Sequence, residues 1–204
     1  MNRNPITPRI MLVIIAAMFL LPLILAWLMY TGTLEFSPGS TRNQGTLVEP
    51  PVHLDWFQAV PVPGDGVVAN ASDILLEHWV VLHPLPLTCD ADCQNHLVSL
   101  RQVHLASGRL GSRIRLAVLV SDAHAADTAQ LVSGIYDQFA VVKDASGALF
   151  ETTREVAAAA SQQGGTYLVD PLGNIMMFYA TDADPNDLKK DLKQLLTWSK
   201  LDEQ

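Results

Sequence analysis

The sequence predicts an α/β domain, a mixed β-sheet with helices on both faces, carried behind one N-terminal membrane helix. Three observations predict it. Ile10 to Tyr30 is 21 residues long and apolar but for its terminal tyrosine, enough to cross a hydrocarbon core of about 30 Å as a helix. Short apolar runs then alternate with stretches of helical periodicity from Trp79 onward, as strands alternating with helices do. Finally, two strand-like runs flank Asp170 to Gly173, a four-residue junction that favours a β-hairpin.

Residues 1–9 carry Arg3 and Arg9, and no acid precedes Glu35. Two arginines before the apolar segment, with none close behind it, keep the amino end in the cytoplasm. Pro22 is tolerated inside a membrane helix. A cleaved signal fits less well, since the run exceeds an h-region and no small-x-small site follows Tyr30. Residues 10–30 are therefore read as a single-pass anchor in a bacterial inner membrane. The domain then lies in the periplasm or an equivalent compartment, where a cysteine pair can be oxidised. Residues 31–45 mix Ser, Gly, Thr and Asn and read as a linker, leaving 46–204 as the domain.

Thr46 to Val52 contains Pro50-Pro51, which suits an edge strand, and Val62 to Ser72 reads as a turn or hairpin region. Trp79 to Leu82 is the continuous apolar run of a central strand covered on both faces. Gln94 to Ala106 follows as a helix with Leu97, Leu100, Val103 and Leu105 as its apolar stripe, and Gly108 and Gly111 end it. Arg113 to Val120 is the next strand, closed by the capping pair Ser121-Asp122. Leu131, Ile135 and Phe139 stand at helical spacing and place a helix over Asp127 to Phe139, before a short strand at Ala140 to Val142. Ala145 to Gln163 marks no face for burial, although its run Ala157 to Ala160 favours helix. Thr166 to Asp170 and Asn174 to Tyr179 are the hairpin strands. Asp184-Pro185 is an N-cap followed by proline at N1, and Leu188, Leu192, Leu195 and Leu196 line one side of the last helix up to Trp198. That order of elements is a thioredoxin-like layout.

The chain carries 21 acidic against 13 basic side chains, a formal charge of −8. Two of those bases precede the anchor, so the domain itself is more acidic still. Nucleic acid and anionic lipid surfaces call for Lys/Arg patches and are not its expected partners.

The chemistry sits between the central strand and the following helix, in His83-Pro84-Leu85-Pro86-Leu87-Thr88-Cys89-Asp90-Ala91-Asp92-Cys93, which holds both cysteines of the chain. With both in the helix's first turn, at i and i+4, the sulfurs project from one face. The positive end of the helix lowers the pKa of Cys89. Such a pair can form a disulfide, hold a soft metal ion or cycle between states. A disulfide over so small a loop removes about 2 kcal/mol or less of chain entropy, which favours a redox or metal role over a staple. His96 extends the stripe to i+7 and is a candidate ligand for Cu(I), which takes thiolate and imidazole. The plainer account makes it a surface residue at a helix edge. His83 could fold back over the cysteines or be a strand-end histidine satisfied by backbone. His124, at the carboxyl end of a strand, is a weaker candidate of the same kind. His53, His78 and His104 show no partner pattern. Asp90 and Asp92 steady the start of the helix by about 0.3–1 kcal/mol; they also raise the thiol pKa while favouring a bound cation. Met176 and Met177 alternate to opposite faces of a strand and read as core packing, and Tyr167, Trp79 and Trp198 as core or core-edge residues. There is no Ser/His/Asp arrangement, phosphate-cradling glycine loop or zinc ligand set.

Cys89-Asp90-Ala91-Asp92-Cys93 behind an apolar strand resembles the C-x-x-x-C of the Sco/SenC family. Tyr167 to Gly173, Y-L-V-D-P-L-G, resembles that family's Y-L-I-D-P-x-G turn, and the membrane anchor matches its usual arrangement. The resemblance implies a thioredoxin fold and Cu(I) held by two cysteines and a histidine. It also implies a part in assembling the copper centre of cytochrome c oxidase, as metal donor or thiol reductant, with an oxidase subunit or another assembly factor as partner. The chain departs from the pattern in three places. Gln162 stands at the position of the family histidine, Gln94 at that of the proline after the second cysteine, and Gly164-Gly165 where thioredoxin-type reductases carry a cis-proline. The resemblance therefore implies a divergent relative lacking one copper ligand. Three readings follow: a Sco-like factor presenting Cys89 and Cys93 to copper or to thiols, a general thiol–disulfide oxidoreductase in which Cys89 attacks and Cys93 resolves, and a non-catalytic binding module that kept the fold.

Overall fold

A computed structural model describes residues 8–31, 42–62, 70–122 and 125–199, in two compact units, Met1–Arg42 and Asn43–Gln204. In the first unit, helix α1 spans Pro8–Tyr30 with Pro22 inside it. Among the described residues it is the helix long and apolar enough to cross a membrane, and its large apolar side chains are exposed, as lipid-facing ones are.

The second unit is built on seven strands: β1 Thr46–His53, β2 Ala59–Pro61, β3 Trp79–Pro84, β4 Ile114–Ser121, β5 Phe139–Asp144, β6 Gly165–Val169 and β7 Asn174–Ala180. In space they run β1-β7-β6-β3-β4-β5-β2. β3, β4 and β5 are parallel. β6 joins β3 antiparallel, β7 and β1 continue that side, and β2 closes the other edge. The helices are α2 Ser72–Leu75, α3 Ala91–Ala106, α4 Ala125–Ile135, α5 Ala148–Ala159 and α6 Pro185–Trp198. The mixed sheet with flanking helices is the predicted thioredoxin-like fold, with Trp79 to Leu82 in its middle.

Strand alternation divides the core into two layers. Trp79, Val81, Leu116 and Val118 pack with Leu97 and Leu100 of α3, Val132 of α4, and Leu188 and Leu192 of α6. Val80, Leu82, Ala117 and Leu119 pack on the other face with Leu75 of α2, and Leu149 and Val156 of α5. The hairpin β6–β7 turns as predicted. Buried Asp170 accepts the Leu172 and Asn174 N–H groups at 2.9 and 2.8 Å, and Gly173 takes φ +89°, which only glycine adopts without strain.

The domain begins earlier than Thr46, because a carboxylate holds the chain just before it. Asp191 on α6 is 3% exposed and accepts the Gln44 N–H, the Gly45 N–H and the Tyr179 hydroxyl at 2.9 Å each. Gly45 lies against the Tyr179 ring, which a Cβ would meet at 2.6 Å. Asn43 to Gly45 thus belong to the domain rather than to the linker.

Other expectations are corrected. The helix placed over Asp127 to Phe139 is α4, which ends at Ile135, and Phe139 opens β5 with its ring buried. The 131/135/139 spacing misled because a turn at Asp137-Gln138 happens to keep the period. Leu105 is 55% exposed and Trp198 82% exposed, so neither joins the core: Leu105 lies about 200° round α3 from buried Val103, and Trp198 is the last residue of α6. Strand β2 lies in a stretch that shows no strand pattern at three residues. Of the predicted turn Val62 to Ser72, residues 63–69 lie outside the described residues, as do 32–41 of the linker.

Candidate functional site

β3 delivers the chain to the carboxyl end of the parallel strands, and Leu85 pins the loop that follows. It is buried, and its N–H donates to the Leu119 carbonyl at 2.9 Å. Pro86, Leu87 and Thr88 are exposed. Asp90 is the N-cap of α3, in extended conformation, its carboxylate accepting the Cys93 N–H at 3.0 Å. This corrects the expectation that both cysteines share the first turn. Aspartate is a far better N-cap than cysteine, so the helix starts behind Asp90, with Cys93 in the first turn and Cys89 in the loop. The i, i+4, i+7 stripe with His96 does not form. The sulfurs meet all the same: Cys89 and Cys93 form a disulfide, with Cα atoms 5.2 Å apart. Both residues are half-buried, while Asp90 and Asp92 are exposed.

Beside the disulfide lies a cluster the sequence did not announce. His83, near the end of β3, is 7% exposed, and its Nδ1 is 3.2 Å from Thr166 Oγ1 on β6. His96 Nε2 on α3 is 2.9 Å from the same oxygen, and the two imidazole centroids are 4.5 Å apart. β3 and β6 are neighbours with Leu82 opposite Tyr167, so the adjoining positions, His83 and Thr166, turn to the other face, toward α3. Of the two accounts of His83, the strand-end histidine is the one found, satisfied by a side-chain hydroxyl as well as by backbone. Burial, then the adjacent His96, press the His83 pKa down to about 3, partly offset by a hydrogen bond to the Gly165 backbone. Burial also lowers that of His96.

That depression predicts an acid limb in stability. The folded value lies below the ordinary 6.5, so between the two the unfolded chain takes up a proton that the folded chain refuses. The contribution is complete above pH 6.5 and is lost as pH falls toward 3, at about 1.4 kcal/mol per pH unit. Urea unfolding from pH 7 to pH 4 checks it: His83→Gln is expected to show a shallower loss than the parent over that window.

His83, Cys93 and His96 line one cavity of about 790 Å³, together with Phe150, Gly165 and Tyr167. A second cavity, about 630 Å³, lies around His104 and Tyr136 near the amino ends of β4 and β5. His104 bonds the Tyr136 hydroxyl and the Gly111 carbonyl there, both at 3.0 Å. His53 and His78 hydrogen-bond the Asn174 side chain and the Leu76 carbonyl, and His124 lies outside the described residues. Met177 is buried and Met176 half-buried, on opposite faces of β7.

The residues present do not make the three-donor copper site that the resemblance implies. Gln162, an amide, stands in place of the imidazole and is exposed in the turn after α5, and His96 Nε2 faces Thr166. Among the described residues no three His, Cys, Asp or Glu side chains are gathered as a metal site.

Residues 79–199 match the family described as transmembrane-like, thioredoxin-like, C-terminal domain. With α1, that match fits a single-pass membrane protein. Among solved structures, the chain is similar to the apo Sco1 protein of Thermus thermophilus, at 16% identity over 78% of this chain and 99% of that one, with a TM-score of 0.55. It is also similar to Arabidopsis thaliana ScoI with copper bound, at 13% identity over 73% of this chain and 98% of that one, with a TM-score of 0.52. A putative electron transfer protein from Aquifex aeolicus VF5 has 15% identity over 73% and 95% of the two chains and a TM-score of 0.51. At these identities the likeness is one of fold. No curated protein sequence matches the chain.

Proposed function

The chain belongs to the transmembrane-like, thioredoxin-like C-terminal domain family, and from that premise we propose that it is a membrane-tethered thiol–disulfide exchange protein working through Cys89 and Cys93. One observation carries this reading: the two cysteines are joined, half-exposed, at the head of a helix beside a large cavity. A bond closing so short a loop contributes little to stability, whereas its position suits it to meet another protein's sulfur.

Cys89 lies outside the helix and is the attacking sulfur. Reduced, its thiolate opens a partner disulfide and forms a mixed disulfide, which Cys93 resolves from the first turn of α3. The partner is a cysteine-bearing protein on the periplasmic side of the membrane that residues 10–30 span. The Sco-like resemblance points to a cytochrome c oxidase subunit or assembly factor whose cysteines are reduced before copper enters. Copper delivery itself, the other role that resemblance implies, calls for a third donor that Gln162 does not supply.

Cys93→Ser is expected to accumulate a mixed disulfide with its partner, visible on non-reducing gels, and Cys89→Ser to form none. If both variants leave oxidase assembly in cells unchanged, the domain is a binding module instead. An anaerobic Cu(I) titration of the reduced 43–204 fragment against a chromophoric chelator separates the copper role: the thiol reading expects the chelator to keep the metal.

A further inference from the structure

We propose that His83, Thr166 and His96 form a proton relay for the cysteine pair, taking the proton that the Cys93 thiol gives up as the mixed disulfide is resolved. The inference rests on the thiol-exchange reading and deepens it.

The Thr166 hydroxyl has one hydrogen and two imidazole partners, at 3.2 and 2.9 Å. It donates to one ring nitrogen and accepts from the other, so the tautomers of the two rings are tied together. A proton arriving on His96 can be matched by turning the hydroxyl toward His83, with no buried group left unpaired. A purely structural role needs only one histidine. The second ring, 4.5 Å away, adds desolvation and, once charged, repulsion. The arrangement runs from a buried strand end to the cavity that Cys93 lines, and Cys93 and His96 are three apart on α3, neighbours on the helix surface.

Burial decides which ring holds the proton, and the charged groups around the cavity stand off from both. Asp90 and Asp92 of α3, Glu151 and Arg154 of α5, and Asp182 beyond β7 line the cavity, and Asp184 borders His96 in a smaller one. Glu151 and Arg154 pair with each other. The four aspartates are exposed, and His96 is the less buried ring, so a proton settles there rather than on His83. Tyr167 donates its hydroxyl to the Thr153 carbonyl and Tyr179 to Asp191, so neither competes for the proton.

In the resolving step the Cys93 S–H proton passes to His96, and the Cys93 thiolate attacks the Cys89 sulfur. The bond from Cys89 to the partner breaks, and the partner sulfur leaves with the electron pair. That thiolate takes its proton from the imidazolium or from water. Two electrons have then moved from the cysteine pair to the partner, and the histidines end neutral.

The test uses the reduced full-length chain in detergent and a peptide disulfide carrying a chromogenic thiol leaving group. Stopped-flow mixing separates attack by Cys89 from resolution by Cys93, followed from pH 5 to pH 9. Thr166→Val and His96→Gln are expected to slow resolution about tenfold or more relative to attack and to shift its pH profile. Thr166→Ser, which restores the hydroxyl, is expected to recover both. A variant that does not fold is recognised by its near-ultraviolet dichroism, and the relay is then judged at the other position alone. Unchanged resolution and pH profile in Thr166→Val or His96→Gln, with the parent active, would overturn the relay and leave the exchange reading standing. A parent chain that reduces no peptide disulfide at all would overturn both.

Discussion

Replacing Gly165 with alanine is expected to destabilise the domain by about 4 kcal/mol or more, at the upper end of what single substitutions do. Gly165 opens β6 opposite Ala180 of β7. A Cβ there would stand 2.0 Å from the Tyr179 carbonyl oxygen and 2.8 Å from the Phe178 ring. The ring is 2% exposed and has no free space to enter. The carbonyl is backbone, so relief requires the two strands to part. Overpacking in a full core costs about 1–3 kcal/mol when side chains can shift, and more when the backbone must. The damage reaches the site, because the next residue is Thr166, whose hydroxyl spaces the two histidines. Gly164→Ala is the control: nothing lies within 4 Å of its added carbon, and about 1 kcal/mol or less is expected. Urea unfolding of the 43–204 fragment compares the pair, and equal midpoints would refute the close approach.

Asp191→Ala carries the second large effect, a loss of about 3–5 kcal/mol. Hydrogen bonds to a charged acceptor contribute about 1.5–3 kcal/mol each, and removing the acceptor takes that contribution from every donor. Here the donors are two backbone N–H groups and the Tyr179 hydroxyl. That hydroxyl keeps its proton at any working pH, since burial first and the Asp191 charge next push its pKa far upward. Tyr179→Phe deletes one donor and leaves the other two served, so about 1–2 kcal/mol is expected. Thermal melts of the three proteins, with the order parent, Tyr179→Phe, Asp191→Ala, check the assignment.

Much of this fold was legible wherever a residue's role is local. The long apolar helix α1 declares itself by length, the β6–β7 hairpin by Asp170 and Gly173, and the start of α6 by Asp184 and Pro185. The two cysteines were legible as a pair because they are the only ones. Their placement in the helix was not, because the choice between Cys89 and Asp90 as the cap turns on one hydrogen bond. The histidine cluster was hidden for a different reason. His83 and Thr166 are 83 residues apart, and their meeting depends on which strand lies beside β3, which no local period encodes. His96 was singled out as a candidate Cu(I) ligand at i+7 from Cys89, whereas the structure turns its Nε2 to the Thr166 hydroxyl. β2 and the end of α4 were lost to chance patterns over three to nine residues.

The carboxylate of Asp191 also bears on when the domain can close. The bonds it makes span 146 and 147 residues, from the first residues of the unit to its last helix. A ribosome delivers Gln44 and Gly45 well before Asp191. Until α6 emerges, those two amides and Tyr179 lack this carboxylate, and the start of the domain stays open. Emergence of α6, rather than the appearance of the central strands, is then the event that shuts the structure.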